Sequence, residues 1–114
     1  MTHRKRPPDR RPSFTRRLAW RTETGEHHFH VTIGVDITNG QPIEAFYADG
    51  QRIGSQLQHA IQDACVLISL LLQYGVDPGS IAKSLSSAPV FGEPQPATVI
   101  GVIAQAVKEG VIAA

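Results

Sequence analysis

Cysteine is almost absent from this sequence: Cys65 is the only one in 114 residues. A single cysteine excludes an internal disulfide framework and a Cys-x-x-Cys redox or zinc motif, and a reducing, cytoplasmic compartment is expected. Aromatic residues are scarce at 6%. None precedes Phe14, so the stacking platforms that hold single-stranded nucleic acid are missing from the N-terminal segment. No apolar run approaches the ~20 residues that cross a bilayer. The longest, around Cys65–Leu72, is interrupted by Ser69. The N-terminus is basic but lacks the apolar stretch of a signal peptide. Neither secretion nor membrane insertion is expected.

Acidic residues are also missing where basic ones collect. Residues 1–21 hold eight Arg and Lys against Asp9 alone, a net of +7, and the other 93 residues hold three basic against nine acidic, a net of −6. The overall charge of +1 conceals this division. Residues 1–12 are mostly Arg, Lys and Pro, with no apolar side chain after Met1 to offset the entropy of ordering, and a disordered arm is expected there.

From Ser13 the pattern alternates. Phe14, Leu18 and Trp20 share a face with Arg16, the odd member of an apolar side. A second strand carries Phe29, Val31, Ile33 and Val35 on one face and His28, His30, Thr32 and Gly34 on the other, the signature of a half-buried antiparallel strand. Asn39-Gly40 suits a type I′ hairpin turn, after which Pro42–Ala48 reads as a third strand. Ser55 can cap a helix with Gln58 closing a capping box, and Leu57 to Leu72 follow at helical spacing, stopped by Gly75 in the left-handed C′ position. Asp77-Pro78 opens a short second helix. Pro89, Gly92, Pro94 and Pro96 mark 86–97 as a linker or extended loop. A last helix is expected from about Thr98, weakened by Gly101 by about 1 kcal/mol relative to alanine. The expected fold is α+β: a three-stranded antiparallel meander packed on a central helix, with two further helices. Large apolar residues on several sides of the central helix also suggest a homodimer.

The order of these signals resembles that of a known family. The strand Pro42-Ile43-Glu44-Ala45-Phe46, the loop from Gly50 to Gly54-Ser55, the apolar helix through Asp63–Leu70, and Gly75-Val76-Asp77-Pro78 followed by Ile81 and Leu85 are similar to the TSCPD domain. That domain occurs near the C-terminus of adenosylcobalamin-dependent ribonucleotide reductases and as a free-standing protein. The resemblance spans Val31 to Ser86. The Thr-Ser-Cys-Pro-Asp segment that names the family has no counterpart here, so no metal or redox role is carried over. Nor is reductase activity, which needs several cysteines inside a large barrel. The resemblance implies a non-catalytic accessory domain over 13–88, linked to deoxyribonucleotide metabolism, between the arm of 1–12, a Pro/Gly linker at 89–97 and a C-terminal helix at 98–114. Its implied partner is a ribonucleotide reductase or another protein.

Candidate chemistry is sparse. His28 and His30, two apart on one strand face, could chelate zinc if a third ligand such as His59, Asp49 or Glu44 arrived; two histidines on a solvated face need no metal. Gly50, Arg52, Gly54 and Ser55 lead into a helix N-terminus that can receive an anion, although glycines before a capped helix equally serve the turn. Arg4, Lys5, Arg6, Arg10 and Arg11, with Arg16 and Arg17 on the first strand, can neutralise phosphates, and counterion release would make such binding steeply salt-dependent. A small nucleic-acid-binding protein is therefore the alternative class. No nucleophile is paired with a base, Cys65 sits within apolar helix, and no cofactor loop is present. No catalytic residue and no cofactor are expected.

Overall fold

The computed structural model describes Arg4 and residues 12–48 and 55–110. The basic arm expected over 1–12 therefore lies, apart from Arg4 and Pro12, outside the described residues, as do 49–54 and 111–114.

The fold is α+β. Strands β1 (Ser13–Thr22), β2 (Gly25–Val35) and β3 (Pro42–Ala48) form an antiparallel sheet in the order β1-β2-β3. Helix α1 (Ser55–Gln73) follows, then α2 (Pro78–Ser84), a separate hairpin of β4 (Ser87–Val90) and β5 (Glu93–Pro96), and α3 (Val99–Glu109). The alternation read from sequence sets the sheet's two faces. Phe29, Val31 and Ile33 point inward and are at most 1% exposed, joined by Ala45 and Tyr47 of β3. Ile61, Cys65, Ile68 and Leu72 of α1, Ile81 of α2, and Val99, Ile103, Ala104, Ala106 and Val107 of α3 complete one core. Packing on helices makes a three-stranded meander independently stable.

The helix punctuation follows the sequence. Gly75 has φ +87°, its N–H donates to Leu72 O and the Val76 N–H to Leu71 O, both at 3.0 Å, which is a Schellman stop. The Asp77 carboxylate accepts the Ser80 N–H at 3.1 Å, and Thr98 Oγ1 accepts the Gly101 N–H at 2.9 Å.

Three expectations change. The β2–β3 connection is not a two-residue I′ turn at Asn39-Gly40. The loop spans 37–40, closed by the Asp36 N–H to Gln41 O at 2.8 Å and the Gly40 N–H to Asp36 O at 2.7 Å, and only Gly40 of the pair has positive φ. The cause is side-chain competition: the Asp36 carboxylate takes the Thr38 N–H and hydroxyl, and Asn39 Oδ1 takes the Gln41 N–H.

The stretch 86–97 is not a plain loop. Ser87–Val90 pairs with Glu93–Pro96, and the Ala97 N–H donates to Ser86 O at 3.0 Å. Alternation of the ladder from that bond puts Pro89, Pro94 and Pro96 at non-hydrogen-bonded positions, where a missing N–H costs nothing.

Gly101 has a packing role in α3 that its low helix propensity does not reveal. It is buried, and a Cβ placed there would come within 3.0 Å of Pro96 Cβ. The glycine lets β5 approach α3. The helix packs against β1, α1 and α2 as part of the main core.

Candidate functional site

The free edge of β3 is sealed by polar side chains of α1. Ser69 Oγ accepts the Ala45 N–H at 3.0 Å and donates to Cys65 O at 2.8 Å. Gln62 Nε2 donates to Tyr47 O at 2.7 Å and Gln73 Nε2 to Ile43 O at 3.0 Å. An exposed edge invites foreign strands; this one is occupied by its own helix. The Arg4 guanidinium reaches the same place and donates to Gln73 Oε1 at 2.6 Å.

The seven proposed basic residues do not form one patch among those described. Lys5, Arg6, Arg10 and Arg11 lie outside the described residues. Arg4 sits by β3 and α1, at the far edge of the sheet from β1. Arg16 turns toward the core side and pairs with Glu109 at the end of α3, 3.3 Å away. Arg17 stands on the opposite face, exposed, opposite His30 in the β1–β2 register.

His28 and His30 are both exposed on the outer face of β2. His28 Nε2 lies 3.3 Å from Glu26 Oε2, whereas His27 turns the other way and stacks on Phe29 at 6.1 Å. Of the third ligands considered, His59 is on α1, which packs against the inner face. Glu44 is buried beside Gly34, and Asp49 lies outside the described residues. Among the described residues no three His, Cys, Asp or Glu side chains converge. Of the anion-loop residues, Gly50, Arg52 and Gly54 lie outside the described residues, and Ser55 begins α1. Cys65 is 2% exposed, and burial pushes its thiol up to about 11. A thiol so placed is protonated at neutral pH and has no access to a substrate.

One concave surface does gather polar side chains. A groove of about 540 Å³ runs along β1, between it, β5 and α3. Arg17, Arg21 and His28 stand on one side and Gln95, Gln105 and Glu109 on the other. Arg21 is held by Glu26 at 3.3 Å, but Arg17 makes no ion pair among the described residues. The groove can bind through a cation and two amides, and no described residue in it is an activated nucleophile. Sequence reasoning missed Gln95 and Gln105 because only the proline-rich hairpin and the docking of α3 bring them to β1.

A family model for the TSCPD domain matches residues 2–110. This chain belongs to the TSCPD domain family. The match takes in β1, the β4–β5 hairpin and α3, so the TSCPD unit is wider than the Val31–Ser86 stretch that carries the sequence resemblance. No curated protein and no solved structure matches the chain significantly. Within this TSCPD domain no described helix is long and apolar enough to cross a membrane.

Proposed function

We propose that this TSCPD chain is a non-catalytic accessory module that binds a protein partner in deoxyribonucleotide metabolism, with a ribonucleotide reductase as the partner class the family implies. The observation that carries the reading is the family match over 2–110, which takes up almost the whole chain. The burial of Cys65 supports it, because thiol chemistry on a substrate needs a reachable sulfur. The groove of Arg17, Gln95 and Gln105 is the surface assigned to the partner, and Arg17, which makes no ion pair among the described residues, suits an acidic segment. The test is co-sedimentation of the purified chain with the reductase of the same organism, alongside a reductase assay. Association should weaken several-fold in Arg17→Glu and change reductase turnover or its nucleotide control. No association of the intact chain at low salt would overturn the reading.

A second reading is favoured by one feature, the +7 of residues 1–21, which includes the exposed Arg17. In it the chain binds nucleic acid electrostatically through Arg4, Lys5, Arg6, Arg10, Arg11 and Arg17. Salt titrations against DNA and RNA, with the intact chain and a variant lacking 1–12, decide it. Removing the arm should lower affinity and flatten the salt dependence; unchanged affinity and slope would end this reading.

A further inference from the structure

Helix α1 is apolar on more sides than its own core can use. Ile61, Cys65, Ile68 and Leu72 are buried, but Leu57, Leu67, Leu71 and Tyr74 are 48%, 61%, 42% and 45% exposed. With Ala60, exposed, and Ala64, half-buried, they run 57, 60, 64, 67, 71, 74. This is the alternating three-and-four spacing of a helix–helix seam. A helix that is apolar around most of its girth is normally covered. Asp63 is the only acidic or basic residue on α1 apart from His59, so the seam carries little electrostatic code for a charged partner.

We propose that a second copy of this chain covers the seam, the two α1 helices packing antiparallel across a two-fold axis. A two-fold interface must be complementary to itself, and this sequence is. Read in opposite directions, Leu57 meets Tyr74 of the partner subunit, Ala60 meets Leu71 of the partner subunit, and Ala64 meets Leu67 of the partner subunit. The inner layers each set a small residue against a large one. A parallel pair would stack alanine on alanine and leucine on leucine, with gaps and crowding in turn. Phe46 and Val66, 48% and 57% exposed, lie together at the β3 edge, on another side of α1, and are not part of the seam. The exposed parts of the six seam residues amount to on the order of 400 Å², an apolar centre that the flanking polar side chains of α1 would extend toward the ~800 Å² per partner of a standard interface. The inference is independent of the groove and of the partner assigned to it.

Sedimentation velocity and light scattering on the intact chain test the proposal, together with Leu67→Glu, whose exposed position keeps the new charge out of the monomer core. The wild type should show twice the monomer mass and a Tm that rises with protein concentration. Leu67→Glu should show the monomer mass, an unchanged circular dichroism spectrum and a concentration-independent Tm. A mixture of Ala64→Cys and Leu67→Cys chains should form an intersubunit disulfide under mild oxidation, whereas Leu57→Cys alone should not. A wild type that stays monomeric, or a dimer that survives Leu67→Glu, would overturn it. A monomer that begins to self-associate once residues 1–11 are deleted would assign the seam to the arm instead.

Discussion

The Arg16 guanidinium lies 3.3 Å from the Glu109 carboxylate, tying the first strand to the last turn of the last helix across 93 residues of sequence. The two side chains are 33% and 45% exposed. At such exposure solvent screens the attraction and fixing two long side chains costs entropy, so the pair stabilises by roughly 0.2–1 kcal/mol. A double-mutant cycle of Arg16→Met and Glu109→Gln should give a coupling within that range, shrinking as salt is added. Denaturant midpoints at low and high ionic strength measure it. A salt-independent coupling well above 1 kcal/mol would show that the pair behaves as a buried one.

Ser69 should matter more than its size suggests. Its hydroxyl accepts the Ala45 N–H at 3.0 Å at the edge of β3. Ser69→Ala leaves that donor without its partner in a part-buried site, at a cost of about 1–3 kcal/mol. The freed edge should also add a tendency to associate through strand pairing. Chemical denaturation reads the first effect and light scattering of the folded variant the second. A Ser69→Ala chain as stable as wild type would mean that water reaches Ala45 N without penalty.

The sheet and α1 were legible in the sequence because their signals are periodic and local. Phe29, Val31 and Ile33 alternate over a few residues, and Gly75, Asp77 and Pro78 punctuate the helices where the chemistry of caps requires. Arg16 was visible as an anomaly, but its partner was not, since nothing local points 93 residues ahead. The β4–β5 hairpin was hidden by its prolines. They break a ladder at hydrogen-bonded positions and are harmless at the alternate ones, and only the register distinguishes the two. Gly101 reads as a helix weakness until Pro96 is seen against it. The groove depends on both of these features, so Arg17 and His28 could be named in advance while Gln95 and Gln105 could not.

Alkali should unfold this protein partly through Cys65. Burial raises its thiol from an ordinary 9.0 to about 11. Below pH 9 the folded and unfolded chains both keep the proton, and the thiol does not affect the pH dependence. As pH rises from about 9 to about 11 the unfolded chain loses it first, so stability falls through that window, by about 2 kcal/mol at its end. Cys65→Ala should start less stable, because it opens a small cavity, yet show a flatter decline with pH. Urea midpoints between pH 8 and pH 11 for both chains isolate the thiol's share. Parallel slopes would show that the sulfur titrates alike in both states.

Phe91 should be replaceable with a gain in stability. It leads the β4–β5 turn at φ 49°, the only described non-glycine residue with positive φ, followed by Gly92 at φ 84°. Two successive positive φ angles make a type I′ turn, which favours Asn-Gly, whereas a bulky side chain there pays a steric penalty. The ring gains little in return, being 78% exposed. The backbone N–H of Phe91 donates to Glu23 Oε2 at 3.2 Å, and any residue but proline preserves that bond. Phe91→Asn should therefore raise stability by roughly 0.5–1 kcal/mol, a Tm increase of a few degrees for a chain of this size. Thermal denaturation at fixed protein concentration checks the outcome. A lower Tm would show that the ring contributes packing that outweighs the backbone strain.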